Sequence, residues 1–168
     1  MSQHFKLQIP GAKSDDGQIE VTAPYDGSLI ATVTAADADA VELALSTADR
    51  LYRDRDLWLK PAKRMEILEK TASIMSERAE ELAVEAAREG GKPLIDSRAE
   101  VARAIDGVRK CIEVLRTQAG EEIPMNLNPA SEGKFAVTRH EPIGIVVGVS
   151  AFNHPLNLIV HQVGPAVA

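Results

Sequence analysis

The cysteine and two of the histidines are candidates for a nucleophile and for metal ligands, but their positions argue against both roles. Cys111 is the one cysteine, and it lies in the middle of a predicted helix beside the apolar face. A catalytic thiol needs a helix N-terminus or a nearby cation to ionise it, and an open path for the substrate. His154 and His161 lie seven residues apart, whereas two ligands on neighbouring helical turns lie three or four apart. We therefore expect Cys111 to pack in the core, and we expect no metal site.

A second candidate is the turn at Asn153, which interrupts an uncharged stretch. Residues 143–149 form a continuous apolar, mostly β-branched run, which predicts a strand buried on both faces of a parallel sheet. Pro155 is typical of the first position of a helix. The turn between them, residues 150–154, is therefore expected at the carboxyl end of a parallel strand, where open α/β sheets bind their ligands.

The uncharged stretch continues to the last residue, and it is too interrupted to cross a membrane. Residues 143–168 contain no Asp, Glu, Lys or Arg, but polar residues and prolines leave apolar segments only about half as long as the ~20 residues of a spanning helix. One strand and one apolar helix also make an incomplete sheet, because a strand buried on both faces needs neighbours. We therefore expect this chain to be the N-terminal part of a longer polypeptide.

Four elements are predicted before residue 121, and they must position this turn. β-prone residues on both sides of Pro24, Asp26 and Gly27 predict a hairpin at residues 19–33. Apolar residues then repeat at helical spacing in three segments. The first predicted helix begins at Asp37 or Asp39. The second begins at Pro61 and ends at Gly90-Gly91, and the third begins at a capping box of Ser97 and Glu100 and ends at Gly120.

Residues 121–140 differ from the segments on either side. They predict two strands joined by a loop rich in Asn, Pro, Ser and Gly, and the strand faces are partly polar. Such a ribbon is either solvated or paired with another chain. We therefore divide the chain into residues 1–120, a hairpin with helices; residues 121–140, the ribbon; and residues 141–168, the first parallel strand and helix of an incomplete sheet.

Charge and cysteine content exclude several classes of partner. The net charge of −6 and the isoelectric point near 5.3 argue against a nucleic-acid partner, because binding to phosphates needs a basic face. A single cysteine cannot form an internal disulfide. This fits a reducing compartment, so we expect the protein in the cytoplasm.

Several ordered blocks of the sequence resemble the NAD(P)-dependent aldehyde dehydrogenase superfamily. The block TRHEPIGIVVGVSAFNHPLNLIVHQVGPAVA, residues 138–168, is similar to the family's apolar strand, its P-W/F-N-F/Y/H-P turn and the helix that follows. Upstream, APYDGSLIATV at residues 23–33 resembles a hairpin of the family. Residues 61–101 resemble the family's R-x-x-I-L helix and the G-K-P-L segment that follows it, which ends in E-V. These blocks lie in register from about residue 19 onward. They are therefore more specific than any single motif.

This resemblance implies a fold class and a set of site residues. The expected fold is α/β, the N-terminal part of an aldehyde dehydrogenase-like Rossmann-type cofactor domain, with an N-terminal hairpin and helices and a protruding oligomerisation hairpin. Asn153 matches the family's oxyanion asparagine, whose amide holds the carbonyl oxygen of the substrate. Val149, Ser150, Ala151, Phe152 and Asn153 match the stretch that lines the nicotinamide and ribose end of the cofactor site. Ala151 departs from the usual proline, so the turn loses a fixed φ at this position.

The resemblance also implies a reaction, a cofactor and an assembly. The parent protein is expected to oxidise a small aldehyde to a carboxylic acid with NAD or NADP, through a thioester on a cysteine beyond Ala168. The 168-residue chain by itself is expected to be inactive, since it lacks that cysteine and the general-base glutamate. The parent is expected to be a homodimer or homotetramer without a nucleic-acid or membrane partner. The stretch FNHPLNL, residues 152–158, is similar to members that act on small hydroxylated or acidic aldehydes.

Two other hypotheses remain open. A CoA-acylating or reductive relative would share the fold and the oxyanion site. A general-base glutamate further along the chain would favour hydrolytic release of the acid, and its absence would favour the relative. A non-catalytic assembly module would use the short chain as the mature product, and the intact mass of the natural protein would identify it.

Overall fold

The structure is a computed structural model that describes residues 3–12 and 17–168. Positions 1–2 and 13–16 of the predicted first segment lie outside the described residues. The strands are β1 (Gln3–Phe5), β2 (Gln18–Thr22), β3 (Leu29–Thr34), β4 (Glu122–Ile123) and β5 (Ala136–Val137). The helices are α1 (Ala38–Arg53), α2 (Pro61–Glu77), α3 (Ala79–Gly90), α4 (Leu94–Thr117) and α5 (Pro155–Val167), with 3₁₀ turns at Arg55–Leu57 and Pro129–Ser131. None of the helices in the described part is both long enough and apolar enough to span a membrane.

The hairpin predicted at residues 19–33 is confirmed, and a third strand joins it. β2 pairs with β3 in the antiparallel direction, with Ile19 opposite Val33. The turn between these strands includes Gly27 at a φ of 71°, which a residue without a Cβ adopts easily. β1 lies on the other side of β3 and runs parallel to it, so the strand order is β1-β3-β2. So short a strand carries no alternating apolar signal, and the sequence therefore did not predict it.

Helix α1 begins at one of the two starting points that the sequence allowed. The Asp37 carboxylate accepts a hydrogen bond from the Ala40 backbone N–H at 2.7 Å, so Asp37 is the N-cap. Ala40 is buried, whereas Val41, Leu45 and Leu51 on the predicted apolar face are exposed. The apolar face of α1 is therefore largely uncovered in this chain.

The prediction of one helix from Pro61 to Gly90 is wrong, because this segment forms α2 and α3. The backbone of Arg78, at φ −106° and ψ 17°, leaves the helical region and ends α2. The residues around Arg78 include neither glycine nor proline, so the sequence carries no signal for this break. The break lets both helices pack against α4. As predicted, Gly91 ends α3, in the left-handed conformation.

The prediction of a capping box at Ser97 and Glu100 is also wrong. Helix α4 begins earlier, at Leu94, and both residues lie inside it with exposed fractions of 0% and 1%. Capping-box side chains bond the free N–H groups at the start of their own helix. Here both residues face the interior, and Glu100 bonds the start of a different helix.

The core lies between α2, α3, α4 and α5. Two glycines bring α4 and α5 close together: a Cβ on Gly107 would lie 3.3 Å from Val160, and a Cβ on Gly164 would lie 3.0 Å from the Cys111 Sγ. α5 therefore packs directly on α4 and is held in place by it. The buried residues of this core are Leu68, Ala72, Met75, Ala83, Val101, Ala104, Ile105, Val108, Cys111 and Ile112.

The strand predicted at residues 143–149 is not formed among the described residues, so this prediction is wrong. The run carries no strand pairing, and Ile143 and Val147 are 90% and 72% exposed. A strand satisfies its backbone N–H and C=O groups through neighbouring strands. The two sheets of the described chain, β1-β3-β2 and β4-β5, lie in other segments and do not include this run.

The ribbon predicted at residues 121–140 forms two antiparallel strands that are shorter than expected. Glu122 pairs with Val137, and Ile123 pairs with Ala136. The loop between them is ordered by Asn128, whose side chain accepts a hydrogen bond from the Ser131 backbone N–H. The division of the chain at residues 120 and 140 stays a prediction.

Candidate active site

The five predicted site residues, 149–153, lie consecutively in the turn that leads into α5. The Val149 carbonyl oxygen accepts a hydrogen bond from the Gln162 side-chain amide at 2.9 Å. The Ser150 hydroxyl donates a hydrogen bond to the Pro155 carbonyl oxygen at 3.2 Å. α5 therefore fixes the beginning of the turn. Gln162 is not among the predicted site residues, although a polar side chain within an apolar helix is a signal for such a contact.

Asn153 is exposed and lies at the end of this turn, directly before His154, the N-cap residue of α5. Its backbone carbonyl oxygen accepts a hydrogen bond from Lys92 Nζ at 3.2 Å. Its side-chain amide has no hydrogen-bond partner among the residues that the structure describes. An exposed neutral amide with free N–H groups can donate to an oxygen that gains negative charge. The position of Asn153 therefore suits an oxyanion donor.

Phe152 presents an aromatic surface beside Asn153. Its side chain is 91% exposed, so it is not a core aromatic. Ala151 is half-buried and has no ring to restrict its φ. An exposed aromatic ring can stack on another flat ring. The turn therefore offers a hydrogen-bond donor and an aromatic surface side by side.

Lys92 and Glu100 form a buried ion pair behind the turn. The Lys92 ammonium contacts one carboxylate oxygen of Glu100, whose side chain is completely buried. The other oxygen accepts hydrogen bonds from the backbone N–H groups of Leu156 and Asn157, at 2.8 and 3.1 Å. The N-cap residue His154 makes no side-chain cap bond of its own. Glu100 therefore caps the N-terminus of α5 from a neighbouring helix.

These contacts set the ionisation state of Glu100. Burial by itself raises the pKa of Glu100, but the hydrogen bond and charge of Lys92 and the hydrogen bonds from the α5 backbone together lower it by more. The pKa therefore lies below its ordinary value, and Glu100 is a carboxylate at neutral pH. The sequence held a signal for this position, since Glu100 lies four and eight residues before Ala104 and Val108 on the buried face of α4.

His154 also faces this ion pair. Its Nδ1 lies 3.4 Å from Glu100 Oε2 and 3.5 Å from Lys92 Nζ. The sequence shows no acidic residue after His154, but folding brings Glu100 to it. His161 lies exposed on α5, near Gly107. Across residues 3–12 and 17–168, no group of three or more His, Cys, Asp or Glu side chains could hold a metal ion.

Cys111 is not in a position to act as a catalytic nucleophile. It is buried in the core of the helical bundle, and burial raises the pKa of its thiol. A protonated thiol without access to solvent is a poor nucleophile. The prediction that Cys111 packs in the core is confirmed, so this chain supplies no reactive thiol to the turn.

Asn153 and His154 border an open cleft of about 370 Å³. The cleft carries charges of both signs on its rim, so it suits a small polar molecule. The Asn153 amide places a neutral hydrogen-bond donor on one wall of the cleft, and none of the lining residues is a cysteine. The other lining residues are Lys92, Asp96, Ala99 and Arg103.

Comparison with known proteins agrees with this picture. A family model described as the aldehyde dehydrogenase family matches residues 12–168. An aldehyde-dehydrogenase-like protein from Sinorhizobium fredii is 35% identical over 153 residues, covering 89% of this chain and 29% of the relative. A 3-sulfolactaldehyde dehydrogenase from Priestia megaterium is 34% identical over 151 residues, covering 90% of this chain and 31% of the relative. The chain spans about 30% of the length of these curated relatives.

Solved structures share the fold. The chain matches aldehyde dehydrogenase 21 from Physcomitrella patens, in complex with the reaction product succinate, with a TM-score of 0.92 and 29% identity over 99% of this chain and 35% of that chain. It matches glyceraldehyde-3-phosphate dehydrogenase from Methanocaldococcus jannaschii, complexed with NADP, with a TM-score of 0.79 and 32% identity over 89% of this chain and 31% of that chain. The expected α/β fold class, the N-terminal part of an aldehyde dehydrogenase fold, is confirmed.

Proposed function

Because this chain belongs to the aldehyde dehydrogenase family, we propose that it is the N-terminal part of an enzyme that oxidises an aldehyde to a carboxylic acid with NAD or NADP. The observation that carries this proposal is the turn before α5. There the Asn153 amide is exposed and has no partner among the described residues, and an exposed Phe152 lies next to it. The similarity to a 3-sulfolactaldehyde dehydrogenase and to a dehydrogenase structure complexed with NADP supports it.

In the proposed reaction, a cysteine thiolate from outside this chain attacks the aldehyde carbon. A C–S bond forms, and the π electrons of the carbonyl move onto its oxygen. The Asn153 amide donates a hydrogen bond to this oxyanion, and as a neutral group it does so without titrating. When bound, NAD or NADP would supply the acceptor for the hydride of the same carbon, which converts the adduct to a thioester. Water then hydrolyses the resulting thioester, which releases the acid and regenerates the thiol.

The residues of the turn fit a nicotinamide cofactor. No Asp or Glu occurs from residue 142 to residue 153, so no carboxylate of the turn repels the cofactor phosphates. The backbone of Val149, Ser150 and Ala151 and the ring of Phe152 are the groups proposed to line the nicotinamide and ribose end. The exposed ring of Phe152 provides a flat surface for that contact.

We propose a small hydroxylated or acidic aldehyde as the substrate. The name of the Priestia relative, 3-sulfolactaldehyde dehydrogenase, supports an aldehyde of this class. Arg103 on the cleft supports it as well, since its guanidinium can attract an anionic group. The single buried cysteine suits the reducing cytoplasm, which is the proposed location.

We also propose that the whole protein assembles as a homodimer or homotetramer through the ribbon. β4 and β5 pair over two residues each, and Leu127, Phe135 and Val137 of the ribbon are exposed. A hairpin this short is marginal in water and presents unpaired edges. Light scattering on the whole protein measures its mass directly, and a monomeric mass would refute this assembly.

Substitution of Asn153 tests the proposed reaction. In the whole protein, Asn153→Ala should lower kcat by ~10² or more, because one oxyanion donor is lost. The affinity for NAD or NADP should stay nearly constant, since the lost interaction belongs to the transition state. Initial rates and single-turnover rates of aldehyde-dependent NADH or NADPH formation measure this effect. Gln118→Ala, which removes an exposed amide at the end of α4, is the control and should leave kcat unchanged.

Two results would contradict the proposal. An unchanged single-turnover rate in Asn153→Ala would remove the oxyanion role. The 168-residue chain alone should form no NADH or NADPH, because its one thiol is buried. Turnover by this chain that disappears in Cys111→Ala would show that Cys111 is reactive after all.

A further inference from the structure

Lys92 and Glu100 contact the backbone at Asn153 and just after it. Lys92 Nζ donates a hydrogen bond to the Asn153 carbonyl oxygen at 3.2 Å. Glu100, which Lys92 contacts, accepts hydrogen bonds from the backbone N–H groups of Leu156 and Asn157. The backbone is thus held at residue 153 and again at residues 156 and 157. The two anchors are joined by the ion pair itself.

We propose that Lys92 and Glu100 are positioning residues that aim the Asn153 amide at the substrate carbonyl by holding the backbone at Asn153 itself and directly after it. This inference rests on the proposed oxyanion role of Asn153. Neither residue is proposed to touch the substrate in the reaction. Their effect passes through the backbone of residues 153–157.

The chemistry of the pair favours a positioning role over a purely stabilising one. A buried ion pair is often no more stable than apolar residues of the same volume, because both charges lose their hydration. Its directional contacts, however, define one geometry. A carboxylate at a helix N-terminus bonds free N–H groups and interacts favourably with the helix dipole, so the cap also fixes where the helix begins.

Besides this pair, the turn is held by the hydrogen bond from the Ser150 hydroxyl to the Pro155 carbonyl oxygen and by a contact from Gln162. Position 151 is alanine, so no proline ring fixes φ there. The strand predicted at residues 143–149 has no pairing among the described residues. The Gln162 contact to the Val149 carbonyl holds the beginning of the turn, four residues before Asn153. The pair of Lys92 and Glu100 provides the contact nearest to Asn153 itself.

Glu100→Gln in the whole protein tests the inference, with Glu80→Gln as its matched control. Glutamine keeps the size of the side chain but removes the charge. Its one oxygen stays with the Lys92 ammonium, so its amide N–H group faces the backbone N–H groups of Leu156 and Asn157 and the cap is lost. Glu80 makes an exposed ion pair with Arg98, at 2.6 Å, and lies away from the turn. Hydrogen exchange of the peptide that contains Leu156 and Asn157 reports the cap directly. We expect its exchange to be about tenfold faster in Glu100→Gln and unchanged in Glu80→Gln.

Kinetics then separate positioning from general destabilisation. A misplacement of about 1 Å can cost ~10² in rate, so kcat in Glu100→Gln should fall ~10- to 100-fold, while the KM for cofactor changes by less than about twofold. If Glu100 acts through Asn153, then adding Glu100→Gln to Asn153→Ala should lower kcat by no more than about twofold further. Destabilisation unrelated to Asn153 would instead lower kcat by the same factor in the unsubstituted protein and in Asn153→Ala.

Variants at Lys92 keep the test decisive if Glu100→Gln folds poorly. Lys92→Met retains the carboxylate cap but loses the bond to the Asn153 carbonyl, and it should show the same non-additivity with Asn153→Ala. Lys92→Arg retains the cation and should recover most of kcat.

The inference is overturned if the exchange of the α5 start is the same in Glu100→Gln and Glu80→Gln. It is also overturned if the effects on kcat are additive with Asn153→Ala, in a protein that is active. A protein that forms no NADH or NADPH with any aldehyde overturns the proposed function, and this inference with it. Activity of the unsubstituted protein therefore distinguishes the two failures.

Discussion

Two regions of this molecule reach order in different ways. The helical bundle of α2 to α5 buries an apolar core within the chain, whereas residues 121–153 expose large apolar side chains such as Phe135, Ile143 and Phe152. A helix makes its backbone hydrogen bonds within itself, so side-chain packing is all that it needs from its neighbours. A strand needs another strand for those bonds. An apolar β-branched run is therefore not a strand until a partner is present.

The candidate site lies where these two regions meet. α5 belongs to the bundle, and the turn that precedes it follows the unpaired run. The cap from Glu100 and the contact from Gln162 both come from bundle helices. The bundle thus orders the turn in this chain, without any contribution from a neighbouring strand of the described residues.

The largest expected contrast between the regions is in hydrogen exchange of the 168-residue chain. We expect amides in α4 to exchange only through global unfolding, because α4 carries much of the buried core, whereas residues 143–149 make no strand pairing. Protection factors should therefore differ by ~10³ or more. Exchange with detection by mass spectrometry measures both regions at once.

A protected run at residues 143–149 would break this contrast. It would show that the run has found a partner, such as a second copy of the chain. Light scattering on the same sample identifies that case, since exposed apolar surface promotes self-association.

The next largest effect is expected at the buried ion pair. Lys92→Met leaves the Glu100 carboxylate buried without its cation, which should lower the free energy of unfolding by about 3–5 kcal/mol. Arg98→Met is the control, because it breaks the exposed pair with Glu80 and should change little. Urea unfolding followed by circular dichroism measures both variants. Equal losses in the two would show that the Glu100 site is not buried in solution.

A smaller effect is expected where α4 and α5 touch. A Cβ on Gly164 would lie 3.0 Å from the Cys111 Sγ, so Gly164→Ala should lower the free energy of unfolding by about 1–3 kcal/mol through overpacking. Gly90→Ala is the control, because a Cβ there would meet no atom closer than 3.9 Å. Alanine at position 90 should be neutral or slightly stabilising. A neutral Gly164→Ala would show that the two helices can move apart without cost.

The smallest expected effect is in acid. Burial raises the pKa of Glu100 and its hydrogen bonds lower it by more, so the folded-state pKa lies below the ordinary value of 4.5. A lowered pKa contributes stability that is present above pH 4.5 and is lost as the pH falls through the folded-state value. Glu100→Gln should therefore lose less stability than the unsubstituted chain between pH 6 and low pH. Parallel curves of unfolding free energy against pH for the two proteins would contradict this.

The turn before α5 was predictable from the sequence, but the contacts that support this turn were not. The order of residues 149–153 before a helix starting at Pro155 follows from the local pattern, and the structure places them together. Their roles stay proposals. Lys92, Glu100 and Gln162 were missed as supports because their partners lie far along the chain, up to 61 residues away for Lys92 and Asn153.

What the sequence by itself determined are features that depend on a few consecutive residues. They include the turn at Gly27, the end of α3 at Gly91 and the start of α5 at Pro155. Each follows from the backbone angles that glycine or proline permits, and those preferences act within one turn of chain.

What only the tertiary structure decided are features that depend on distant contacts. The break between α2 and α3 at Arg78 has no local signal and serves packing against α4. Glu100 sits in a local pattern for capping its own helix, yet it caps α5, because burial on α4 places its carboxylate against free N–H groups of another helix. Residues 143–149 have the composition of a buried strand and stay unpaired, because backbone pairing requires a second strand and no local preference can supply one.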